Sequence, residues 1–169
     1  MVKVGEGFCG SGPNAAHINL YIGPKNGPMG TAVATAAAMP GPGHLPFQAI
    51  LKPNMPAKPV TLFIAKAILT TPNHENMTWG PAHAGVAYCV TKALLDGVLP
   101  PEAEDEWISI AAAWVNPAAD NADEVYENNC QAAYLAAQRA MSAGWPSRAE
   151  LTEALASITN AFFTPKNNK

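Results

Sequence analysis

Residues 15–24 read Ala-Ala-His-Ile-Asn-Leu-Tyr-Ile-Gly-Pro. With a period of two, Ile18, Leu20 and Ile22 fall on one face and His17, Asn19 and Tyr21 on the other. That alternation marks a half-buried strand. It sets an imidazole, an amide and a phenol in a row above an apolar core. An imidazole titrating near neutrality can give a proton to a leaving hydroxyl or take one from a nucleophile. A second candidate is Lys66, in the β-like run 60–69. There it shares a face with Leu62, Ile64 and Ile68. The pattern allows a snorkelling lysine with a buried stem, or an amine held at the floor of a cleft.

Other chemistries find less support. The four histidines, His17, His44, His74 and His83, form no H-E-x-x-H pair, so no metal site is expected. Cys9, Cys89 and Cys130 are odd in number, widely spaced and without C-x-x-C. They are expected to be reduced, buried thiols rather than disulfides or zinc ligands. The glycine-rich loop 23–28 lacks the G-K-[ST] ending of a phosphate-binding loop. Net charge is −3 with no basic run, which argues against nucleic acid and anionic membranes. The N-terminus has no apolar signal-peptide core, and the apolar part of the longest charge-free run is too short to span a bilayer. A cytoplasmic protein is expected. Charged residues make up only 14% of the chain, against roughly 25% in an ordinary globular domain. Part of the surface is therefore expected to be buried between subunits of a homo-oligomer.

The elements that must position these side chains follow in order. A poorly patterned strand over 2–9, an edge candidate, precedes strand 15–22, which Gly23-Pro24 should stop. An alanine-rich helix over 31–39 should lie close on a sheet. A strand over 47–51 places Gln48 and Ile50 opposite Phe47, Ala49 and Leu51. After a proline-rich turn comes strand 60–69. Thr71-Pro72-Asn73 opens a helix that Trp79-Gly80-Pro81 interrupts before a second helix over 82–96. The acidic stretch 102–106 reads as a solvated connection, and 107–115 as a strand. Asn121 and Glu124 cap a long helix to about Ala143, and Ser147 and Glu150 cap a last one carrying Leu151, Leu155, Ile158 and Phe162. The tail from Thr164 is polar and expected to fray. The 169 residues make one α+β domain over 1–169, a mixed sheet with helices packed on it.

Three stretches carry a family resemblance. They are His17-Ile18-Asn19-Leu20 with Ile22-Gly23-Pro24; Pro53-Asn54, Pro56, Lys58-Pro59, Thr61-Leu62 and Lys66; and Gly80-Pro81-Ala82 with Gly85-Val86-Ala87. Their order and spacing resemble the formaldehyde-activating enzymes, from about Val4 to Met141, with a poor match over the last 25 or so residues. The resemblance implies condensation of formaldehyde with tetrahydromethanopterin as co-substrate, giving the methylene derivative and water, without a permanently bound cofactor. It implies a homopentamer with active sites between subunits. It also implies a fold like the second domain of a small-subunit ribosomal protein, with a left-handed βαβ crossover.

Position by position, the resemblance makes His17 the general acid and assigns Asn19, Gln48, Lys66, Ile68 and His83 to substrate binding. It favours the cleft reading of Lys66. Four of these positions depart from the family pattern: Asn19 stands for Asp, Gln48 for Leu, Ile68 for Thr and His83 for Gln. Asn19 can hydrogen-bond but brings no charge to hold a protonated imidazole. Two other readings stay open: a binding protein that keeps the pocket without catalysis, and an enzyme for a different amine or carbonyl compound. In the latter, His83 would be a second acid–base group; otherwise it is an exposed residue at a helix start.

Overall fold

The computed structural model describes residues 1–142, 144, 146–159 and 164–166. Ala143, Phe162 and the end of the tail lie outside the described residues, so the expectations placed on them stay there. Five strands form one mixed sheet in the order β1–β2–β7–β6–β3. Strands β1 (Lys3–Cys9) and β2 (Ala16–Pro24) pair antiparallel, with Glu6 opposite Asn19 and Phe8 opposite His17. β2 pairs antiparallel with β7 (Trp107–Trp114), which sets His17 opposite Trp114. β6 (Val60–Ala65) runs parallel to β7. β3 (Leu45–Gln48) closes the far edge against β6. The α+β class and the edge position of β1 agree with the sequence pattern.

Between β2 and β3 lies helix α1 (Pro28–Ala38). A small hairpin of β4 (Ile50–Lys52) and β5 (Met55–Pro56) stands apart from the main sheet. The β6-to-β7 crossover carries α2 (Pro72–Met77), a wide π-turn over Thr78–Ala82, α3 (His83–Leu95) and the short α4 (Ala103–Glu106). The chain ends in α5 (Ala122–Ser142) and α6 (Arg148–Ala156).

Close approach of main chains defines the core. Gly5 and Gly7 face α5, where a Cβ would stand 1.9 Å from the carbonyl oxygens of Ala136 and Ala132 respectively. Ala132, Ala133, Ala136, Ala137 and Ala140 complete that contact and are buried with Ile18 and Leu20. Only small side chains allow backbones this near. Gly85 does the same between α3 and α5, since a Cβ there would lie 2.4 Å from the Tyr126 carbonyl oxygen.

Several expectations need correction. β2 continues to Pro24, opposite Trp107; a proline at a strand's last residue removes no donor that the ladder needs. The 47–51 strand divides at Ala49, whose N–H donates to Thr61 and whose carbonyl accepts from Ala57, so the chain leaves β6 there for β5. β6 ends at Ala65, where its parallel pairing with β7 ends, and Lys66 follows with its N–H on the Ala113 carbonyl. Helix α1 begins at Pro28; it touches β2, β7 and β3, but Met29 is its one buried residue and its alanines are largely exposed within the described chain. The acidic connection folds as α4 and is used: Asp105 pairs with Lys58, and its carbonyl accepts from Lys25.

The cysteine expectation also fails. Cys89 of α3 and Cys130 of α5 form a disulfide, with Cα atoms 5.0 Å apart. Their separation in sequence concealed a proximity created by the tight α3–α5 packing at Gly85. Cys9 is free and half-buried, with its thiol donating to Gln131 Oε1 at 3.2 Å.

Candidate functional site

Two hydrogen-bonded anchors fix the start of β2. The buried Asn14, in a short turn before the strand, accepts from the N–H groups of Asp120 and Asn121 and donates to Glu124 and Asp120. Asn128 of α5 donates to the Asn14 carbonyl. Three residues later His17 projects from the face of the sheet turned away from α5, because Ile18 takes the core side. Period-two geometry puts Glu6 and Phe8 of β1 on this same face.

A continuous polar chain results. Glu6 Oε1 stands 2.5 Å from His17 Nε2. Lys66 Nζ stands 3.3 Å from His17 Nδ1 and donates to Asn19 Oδ1 at 2.8 Å. Burial lowers the Lys66 ammonium to about 8, a fall that the Glu6 charge partly opposes. Desolvation disfavours a cation, and a neutral amide compensates it less than a carboxylate would. With the imidazole neutral and protonated at Nε2, it donates to Glu6 and accepts from the Lys66 ammonium at Nδ1. Moving one proton from Nζ to Nδ1 reverses the second bond. The arrangement can therefore hold a proton at either nitrogen. The Phe8 ring centroid lies 6.5 Å from that of His17.

Of the six expected site residues, His17, Asn19 and Lys66 meet directly. Gln48 and His83 form a second group. The His83 ring is nearly buried, its centroid 4.9 Å from Phe47 and 5.8 Å from Phe63. Its Nε2 lies 3.3 Å from the Ile50 N–H and 3.2 Å from the Gln48 carbonyl. Burial lowers its pKa, against the pull of the Gln48 carbonyl. A neutral ring then accepts from Ile50. This corrects the expectation of an exposed helix-start residue: β3 and the Phe47 ring cover the end of α3. The Gln48 amide donates back to the Thr61 carbonyl at 3.2 Å. Ile68 joins neither group; it is 62% exposed and lines a cavity of about 410 Å³ with Pro40, Gly43 and Trp79.

The sequence alone does not single out Glu6. Strand 2–9 is weakly patterned, so nothing in one sequence phased its carboxylate against His17. The neighbouring strand thus supplies a carboxylate beside His17 where Asn19 brings none. A separate cavity of about 700 Å³ lies along α3 and α5, lined by Tyr88, Lys92, Tyr126 and Tyr134 among others. It contains none of the six residues. Among the described residues, no group of three or more His, Cys, Asp or Glu could hold a metal ion, and no helix is long and apolar enough to cross a membrane.

Comparison with known proteins covers nearly the whole chain. The family described as formaldehyde-activating enzyme (Fae) matches residues 4–163, further toward the C-terminus than the quoted motifs reach. A 5,6,7,8-tetrahydromethanopterin hydro-lyase of Methanosarcina barkeri is 40% identical over 158 residues, 94% of this chain and 86% of that protein. Bifunctional Fae/Hps enzymes are also similar. Those of Methanothrix thermoacetophila and Archaeoglobus fulgidus are 39% and 37% identical, over 86% and 82% of this chain. The aligned parts are only 37% and 35% of those longer proteins. With the match running from β1 through α6, and with the motif residues His17, Asn19 and Lys66 in contact, the chain belongs to the formaldehyde-activating enzyme family.

Proposed function

We propose that this protein condenses formaldehyde with tetrahydromethanopterin, giving methylene-tetrahydromethanopterin and water, with His17 as general acid. The observation that carries this reading is the Glu6–His17–Lys66–Asn19 chain on the sheet face turned away from α5. A pterin nitrogen adds to formaldehyde unaided. The resulting carbinolamine must lose hydroxide, and protonation by the imidazole makes the leaving group water. Holding the two reactants together supplies the remaining advantage through proximity. Lys66 and Asn19 contact the pterin at this face, and Gln48, Ile68 and His83 contribute the more distant contacts. We further propose one domain over 1–169 that acts in the cytoplasm as a homopentamer, the second group of residues reaching the site across a subunit boundary. The left-handed crossover and the ribosomal-domain likeness belong to the same proposal.

Formation of the methylene-pterin above the uncatalysed background, in wild type and His17→Ala, tests the reading. Wild type should accelerate the reaction, and the variant should lose about 100-fold or more of that acceleration. Absence of acceleration in folded wild type overturns catalysis and leaves a binding role for the site. The third possibility, His83 as a second acid–base group, is weakened by the use of its Nε2 for main-chain contact.

A further inference from the structure

We propose that Lys66 is a covalent carrier for formaldehyde, binding the one-carbon unit as a methylene-iminium before an acceptor amine takes it. This inference rests on the proposed pterin reaction and deepens it: formaldehyde meets Lys66 before the pterin nitrogen, His17 dehydrates the lysine carbinolamine in place of the pterin one, and the first step needs no pterin. Three features of the geometry support it. The ammonium nitrogen rests on an amide oxygen, Asn19 Oδ1, and on an imidazole nitrogen, His17 Nδ1. By contrast, Lys58 and Lys92 are paired directly with the carboxylates of Asp105 and Asp96, which hold them protonated. Finally, His17 Nδ1 stands 3.3 Å from Nζ; once a proton has moved to it from Nζ, it lies within reach of a hydroxyl on a carbon bonded to that nitrogen.

The step balances without an oxidant or reductant. The neutral Nζ lone pair forms a C–N bond to formaldehyde. The carbonyl π pair moves to oxygen, which takes a proton from Nζ, giving a carbinolamine. Protonated His17 then gives its proton to the hydroxyl. The C–O bond breaks, water leaves, and the Nζ lone pair forms the C=N bond of the iminium. An acceptor secondary amine adds to that carbon, and a proton passes from it to Nζ. The C–Nζ bond breaks with its electron pair returning to Nζ, while the acceptor nitrogen forms the new iminium. Closure by a second N–H of the acceptor releases the proton that restores His17. Carbon stays at the oxidation level of formaldehyde throughout.

Near neutral pH, an amine lowered to about 8 is free in about a tenth of molecules, whereas an unperturbed lysine is free in fewer than about one in a thousand. The lower basicity reduces intrinsic nucleophilicity, so the expected net gain is smaller than the ratio of those fractions.

The folded chain, without pterin, is treated briefly with formaldehyde and cyanoborohydride at neutral pH. Each lysine is then scored for added methyl mass by peptide mass spectrometry. Lys66 should be methylated at least about tenfold faster than Lys58 and Lys92. Its rate should fall in folded His17→Gln, which lacks the acid for dehydration. Equal labelling of Lys66 and Lys92 overturns the proposal. So does a Lys66→Arg variant that retains the pterin reaction rate, because arginine keeps the charge and the donor but cannot carry the carbon. Preferential labelling without any pterin acceleration would uphold the carrier and overturn the proposed pterin reaction, so the two failures are distinct.

Discussion

At the scale of single residues, the candidate site is a short proton-sharing line across two strands and the residue after a third. His17 was legible because alternation fixes its face and chemistry singles out its side chain. Lys66 was legible as a candidate only, since β periodicity gives the same pattern for a snorkelling stem and for a cleft amine. Glu6 was not legible, because its role depends on the β1–β2 register, which a weak pattern leaves open. The register puts Glu6 opposite Asn19, and its side chain reaches diagonally to His17. A carboxylate on Nε2 fixes the ring's orientation through a charge-assisted hydrogen bond. Replacing Glu6 by Gln keeps the size and a hydrogen-bonding group but removes the charge. It should lower kcat about tenfold or more, in line with the 1.5–3 kcal/mol typical of charged hydrogen bonds. Steady-state kinetics would show this chiefly in kcat, with folding unchanged by circular dichroism.

At the scale of elements, helix caps and the presence of the alternating strands are legible in the sequence, while strand ends and junctions are not. Thr71 caps α2 through the His74 N–H, Asn121 accepts from the N–H groups of Asp123 and Glu124, and Ser147 with Glu150 makes a capping box. Each signal is local, so one chain suffices to see it. The division at Ala49 and the end of β6 depend on which partner strand is available, which no local window records. The exposure of α1 has the same origin: its alanines permit close packing but do not require it. β1 and α5 form the most demanding contact. Gly7→Ala would press a methyl group against the Ala132 carbonyl and force β1 away from α5. Destabilisation of about 2 kcal/mol or more is expected from such overpacking, read as a fall in Tm. Because Glu6 adjoins Gly7, the same variant should also lose activity at temperatures where it remains folded.

At the scale of the whole molecule, the sequence indicated one sheet with helices on it, and the low charge left surface to be covered. Exposed apolar side chains on and just beyond α6, among them Leu155 at 71% and Ile158 at 41%, find no core partner in the described chain. The largest surprise at this scale is covalent, the link between α3 and α5 at Cys89 and Cys130. Thiol titration in denaturant, of protein purified without reductant, should therefore count one cysteine, Cys9, and three after reduction; three before reduction would refute the link. The π-turn at Thr78–Ala82 acts on the whole crossover as a phase setter. A π-turn accommodates one residue more than α-helical winding, and each residue advances a helix by about 100°. Loss of one residue there, with α2 held by its cap, would rotate the face that α3 presents. His83 would leave its aromatic seat, and Gly85 and Cys89 would turn away from α5 together. A single-codon deletion in this turn would thus act as a clutch, disengaging three distant contacts without altering any residue that makes them.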